Sequence, residues 1–172
     1  MIDAMLKESR FDFMSEKDKD FVAQMTAALL ELGYTFGDTI TDGICWGKYM
    51  LIFRKQNVKS KKVYARIYIK DDSVAFRLFL SDITKHSAFV SAAPAHIKSV
   101  FAGASGACGH CRGDECRFRK SFELDGKLIE KCNGEVFTFE GASSDKIPDY
   151  LALLCEFYGK GKHTAKKVES FS

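Results

Sequence analysis

Between Ile44 and Leu80 apolar side chains recur at every second position, interrupted only by two short polar stretches. That period belongs to half-buried β-strands, and three runs read as strands: Ile44 to Lys55, Lys62 to Lys70 and Val74 to Leu80. The breaks, Asn57 to Ser60 and Asp71-Asp72-Ser73, are short enough for hairpin turns, so the three runs are expected to form an antiparallel meander. Val63, Ala65, Ile67 and Ile69 make one apolar face; Val74, Phe76, Leu78 and Leu80 make another that can pair with it. Such a sheet needs helices to cover it.

The chain supplies them. Ser15-Glu16-Lys17-Asp18 reads as a helix start, with the Ser15 hydroxyl accepting from a backbone N–H. Phe21, Val22, Met25, Ala28, Leu29 and Leu32 follow at helical spacing, and Gly33 supplies the left-handed stop. Ser81-Asp82 caps a further helical stretch through Val90, and Pro94 opens another carrying Ile97, Val100 and Phe101. Asp125-Gly126 is the strongest short hairpin signal, flanked by Phe118 to Leu124 and Leu128 to Glu130. Val136 to Phe139 is one more short strand, and Pro148 opens a last helix with Leu151, Leu154, Cys155 and Tyr158 on one stripe, stopped by Gly159. The expected fold class is α+β: an antiparallel sheet, flanking helices and a small four-cysteine lobe. Residues 1–102 make the core, 103–134 the inserted lobe, 135–159 a closing strand and helix, and 160–172 a basic, flexible tail.

The lobe is where composition shifts. Gly103, Gly106, Gly109 and Gly113 alternate with three cysteines between Phe101 and Arg117, a segment that apolar burial cannot hold. Cys108, Cys111, Cys116 and Cys132 are spaced C-x2-C-x4-C-x15-C, the pattern of a tetrahedral thiolate site with Zn–S near 2.3 Å. Gly109 and Gly113 give the turns their φ freedom, and the Asp125-Gly126 hairpin carries the chain out and back to Cys132. A zinc-ribbon-like lobe with one structural zinc follows, and a closed four-sulfur shell leaves no position for water or substrate. An iron–sulfur cluster would use the same four thiolates. His110 and His96 could each replace a cysteine, but four thiolates already complete a shell. Cys108-Gly109-His110-Cys111 also matches the dithiol of protein disulfide isomerases. Ala107 stands where a tryptophan is expected, however, and Arg112-Gly113-Asp114 is a poor helix start for depressing a thiol pKa. Cys45, in a strand, and Cys155, on an apolar helix stripe, read as core residues.

A second candidate lies on the strands. Arg54 to Lys70 holds seven lysines and arginines and no acid. Tyr64, Arg66 and Tyr68 share a strand face by alternation, with Arg77 on a neighbouring strand. If the rings are accessible, this face suits a small anionic ligand or the stacked bases of a nucleic acid. If something roofs them, they are core residues.

No glycine-rich phosphate loop, nucleophile elbow, H-E-x-x-H or acid–base carboxylate pair stands out, and His86, His96, His110 and His163 are scattered, so the chain reads as non-catalytic. Six cysteines with no apolar leader at residues 1–10 point to a reducing, cytoplasmic setting. Apolar runs fall short of the roughly 20 residues a bilayer span needs, so no membrane partner is expected. A net charge of +3 does not by itself announce a nucleic acid. The expectation is a zinc-stabilised binding or regulatory module; the alternatives are a nucleic-acid-binding zinc protein and a thiol-disulfide oxidoreductase.

From Val63 to Phe101, with Ala93-Pro94-Ala95-His96-Ile97-Lys98 opening a helix, the chain resembles the small bacterial α+β domains of the YjbR-like kind. The Cys108 to Cys132 block and Asp145-Lys146-Ile147-Pro148-Asp149-Tyr150 resemble uncharacterised bacterial proteins with such a cysteine cluster. The resemblance covers the last two-thirds of the chain and implies a fold and a metal, not a substrate. The cysteine lobe departs from the plain YjbR-like pattern.

Overall fold

The computed structural model describes residues 1–56, 58–103, 116 and 118–159. Helix α1 (Ile2–Met5) is followed by α2 (Glu16–Glu31), β1 (Tyr34–Thr35), β2 (Thr41–Asp42), β3 (Tyr49–Lys55), β4 (Ala65–Ile69) and β5 (Val74–Phe79). Then come α3 (Ser87–Ala92), α4 (Ala95–Ala102), β6 (Lys120–Leu124), β7 (Lys127–Lys131), β8 (Val136–Phe139) and α5 (Ile147–Tyr158). The architecture is α+β. One sheet runs β1-β3-β4-β5-β8 with β2 also on β3, and β6 and β7 form a separate two-stranded sheet. The registered pairs are antiparallel, Leu51 opposite Ile67 in the larger sheet and Phe122 opposite Ile129 in the smaller.

The described residues divide into two compact units, 1–77 with 139–159, and 78–138. In the first, alternation puts Leu51, Phe53, Ala65, Ile67, Val74 and Phe76 on one sheet face, each at most 1% exposed. That face belongs with the apolar stripes of α2 and α5: Phe21 meets Phe76 edge-on at 6.5 Å, and Tyr150 lies 5.1 Å from Phe76 and 4.9 Å from Phe139. Fully burying a side chain of this size contributes ~1.5–3 kcal/mol. Helix α2 starts where its cap predicts: Ser15 Oγ accepts from the Asp18 N–H at 3.1 Å and donates to the Asp18 carboxylate at 2.7 Å. Gly33, at φ +81°, ends it. The Ser144 hydroxyl donates to Asp20 at 2.8 Å, tying α2 to the turn before α5, and this bond, then that from Gln24, lowers the Asp20 pKa.

In the second unit Phe137 stacks on Phe101 at 4.1 Å and meets Phe122 edge-on at 6.5 Å. The β6–β7 turn has Asp125 at φ +50° and Gly126 at φ +71°, both in the left-handed region that a two-residue type I′ turn requires.

Several boundaries differ from expectation: the run read from Lys62 is a strand only from Ala65, and the run read from Phe118 only from Lys120. The run read as a strand from Ile44 becomes β3 only at Tyr49, because residues 43–48 form a tight loop in which Ile44 has φ +55°. The stretch after Ser81 is a 3-10 turn (Ile83–His86) running into the short α3, since Asp82 is left-handed at φ +57° and cannot begin an α-helix. Strands β1 and β2 and helix α1 carried too few residues to give a period. No described helix is long and apolar enough to cross a membrane.

Candidate functional site

The β6–β7 hairpin sets the geometry around two of the four cysteines. Its ladder opens with Lys120 opposite Lys131, so the chain leaves at Cys132 facing the segment that follows Cys116. The Arg119 N–H donates to the Cys116 carbonyl at 2.9 Å, and the Gly134 N–H to the Phe118 carbonyl at 3.2 Å. Asn133 takes φ +54°, and a Cβ on Gly134 would fall 2.5 Å from the Lys120 Cβ, so the turn after Cys132 closes tightly on β6. Both Cys116 and Cys132 are half-buried. Cys108 and Cys111 lie outside the described residues, as do Ala107, Gly109, His110, Arg112, Gly113 and Asp114. Among the described residues no three His, Cys, Asp or Glu side chains are grouped to hold a metal ion.

Next to Cys132 stands a buried ammonium. Lys131 is 4% exposed. Its Nζ donates to the Val100 carbonyl at 2.8 Å and to the Gly103 carbonyl at 2.7 Å, and lies 5.3 Å from the Phe137 ring. A cation on the last carbonyls of α4 complements that end of the helix. It also ties Gly103, where the chain enters the cysteine segment, to Lys131, where it leaves. Burial lowers the Lys131 pKa. Sequence reading had no signal for this tether, because a lysine in an alternating strand looks like any solvated one.

The strand-face candidates divide. Arg66, Tyr68 and Arg77 come together: Arg66 Nη1 donates to the Tyr68 hydroxyl at 3.0 Å and Arg77 Nη1 at 3.3 Å, with the Arg77 guanidinium 4.8 Å from the Tyr68 ring. Tyr64 joins another cluster, 4.7 Å from Tyr158 and 5.5 Å from Tyr34, with Lys55 and Lys62 over its ring. It lies just before β4, where alternation no longer governs. Tyr68 is 1% and Tyr64 9% exposed, so both are core residues here and neither offers an open aromatic plane. The expected concavity of Tyr64, Arg66, Tyr68 and Arg77 is therefore not what these side chains form. Burial, first, lowers the pKa of Arg77 against the opposing pull of Tyr68. Burial and the neighbouring tyrosines raise that of Tyr34 well above its ordinary value.

Cys45 corrects another expectation. It is an exposed free thiol in the 43–48 loop and not a core residue; Cys155 is half-buried. Sequence reading also passed over Trp46 in that loop. Its signal was present: the chain's single tryptophan, bracketed by Gly43 and Gly47.

No family model matches the chain, and no curated protein or solved structure matches it.

Proposed function

We propose that this chain is a non-catalytic binding or regulatory module whose cysteine segment is held by one structural zinc ion on Cys108, Cys111, Cys116 and Cys132. The observation that carries the reading is the hairpin return, which sets Cys132 opposite the segment that follows Cys116. The spacing of the four thiolates supports a closed tetrahedral shell, which stabilises a fold and leaves no open coordination position. Such a site requires a reducing compartment, in keeping with a cytoplasmic protein.

The test is stoichiometry. Protein purified without chelator is expected to hold about one zinc per chain with Zn–S near 2.3 Å by X-ray absorption, and Cys116→Ser is expected to lose it. A protein that neither retains nor takes up zinc overturns the metal. Visible charge-transfer bands with bound iron would replace zinc by an iron–sulfur cluster. Turnover in an insulin-reduction assay would make Cys108 and Cys111 a redox pair and overturn the non-catalytic reading.

A further inference from the structure

The loop between β2 and β3 is a rigid tip carrying exposed apolar side chains. The Gly43 N–H donates to the Lys48 carbonyl at 2.8 Å, and the Lys48 N–H to the Ile69 carbonyl at 2.8 Å. A Cβ on Gly47 would fall 2.7 Å from the Ile69 carbonyl oxygen, and one on Gly43 would overlap the Gly47 carbonyl, so the backbone is packed to the limit. Ile44, a β-branched residue, is forced to φ +55°. What this framework presents is Ile44 at 84% exposure and Trp46 at 53%. The indole is not loose. Its inner face lies 4.1 Å from the buried Arg77 guanidinium, which in turn rests on Tyr68.

An open groove of about 910 Å³ runs beside the tip, with three aspartates and two lysines in its lining. Both lysines are engaged. Lys48 pairs with Asp71 at 2.5 Å and sits over the Phe13 ring, and Lys70 pairs with Glu140 at 2.6 Å. The groove thus combines an apolar wall with two exposed carboxylates, Asp42 and Asp72, that have no ion pair among the described residues.

We propose that this tip is a docking site for a cationic, partly apolar peptide segment of a partner protein. An apolar side chain or the stem of an arginine lies on the outer face of Trp46, and guanidinium groups reach Asp42 and Asp72. Charge complementarity selects this occupant: carboxylates that attract arginine repel the anionic headgroups of a membrane. Tryptophan is also enriched among the residues that carry most of the binding energy, and one already held in place loses little entropy on binding. The inference rests on reading the chain as a binding module and does not depend on the metal.

Trp46 reports on the site directly, being the single tryptophan. Titration with acetyl-Arg-Leu-Arg-Leu-Arg-amide is expected to change its emission saturably, with affinity falling as salt rises. The exposed double variant Asp42→Asn/Asp72→Asn is expected to keep its circular dichroism and its zinc content while binding the peptide about tenfold more weakly or worse. The matching glutamate–leucine peptide and phosphatidylserine vesicles are expected to leave the emission unchanged. No saturable response, equal response to the glutamate peptide, a double variant that binds as well as the parent, or a blue shift on vesicles in place of the peptide each overturns the proposal. Zinc content is read separately, so loss of the metal reading and loss of this one are distinguishable.

Discussion

Ile44 and Tyr150 show how far single residues depart from what their type prefers. Ile44 occupies the left-handed region with its side chain in solvent. An L-residue there is disfavoured by about 1–2 kcal/mol, and asparagine is disfavoured less. Ile44→Asn is therefore expected to raise stability by about 0.5–1 kcal/mol in denaturant unfolding, since it gives up almost no burial. Tyr150 is 1% exposed, and burial, with Asp145 and Asp149 nearby, pushes its hydroxyl up to about 12 from 10.0. A raised pKa in the folded state means that the unfolded chain ionises first, so the folded state binds more protons above pH 10 and stability falls as pH rises from there. Tyr150→Phe is expected to flatten the loss of melting temperature between pH 10 and 12; an equally steep loss in the variant would assign it elsewhere. Cys45 is expected to react with a thiol reagent faster than Cys155 in the native protein, a comparison that peptide mass mapping reads directly.

At the scale of elements, the close approaches matter more than the periods. Gly47 lies in the loop that delivers the chain to β3, and its backbone lies against the Ile69 carbonyl at the end of β4. Gly47→Ala is expected to cost about 1–3 kcal/mol, because the obstacle is backbone and cannot swing aside. The second such device is the Lys131 tether between α4 and β7. Truncating it in Lys131→Ala leaves the Val100 and Gly103 carbonyls without their charged donor, and a loss of about 1–3 kcal/mol is expected. If Lys131→Ala melts as the parent does, the tether contributes nothing net.

For the whole molecule, the test is whether the proposed zinc holds one part and not the other. Chelation is expected to raise amide exchange in residues 118–138 while α2 and α5, whose cores are aromatic and aliphatic, keep their protection. Uniform loosening would show a single cooperative core. Unchanged exchange would make any bound metal incidental.

The parts legible in the chain were those decided by local physics. Alternation in residues 65–69 and 74–79 requires one apolar face. The Ser15 cap and Gly33 delimit α2, and Asp125-Gly126 turns the β6–β7 hairpin because few other dipeptides accept two left-handed residues. Each depends on dihedral preference and solvent partition within a few neighbours. What only the tertiary structure decided depends on residues far apart in the chain. Ile44 to Lys48 continue an apolar run that reads as strand, yet contact of Gly47 with Ile69 makes them a loop and sets Trp46 on Arg77. Tyr64 and Tyr68 are four apart on a basic, aromatic stretch, at positions that alternation puts on one face, and nothing local says that one joins Tyr34 and Tyr158 while the other lies between two arginines. Periodicity assigns a residue to a face; what covers that face is set by distant segments, and burial of these tyrosines was settled there.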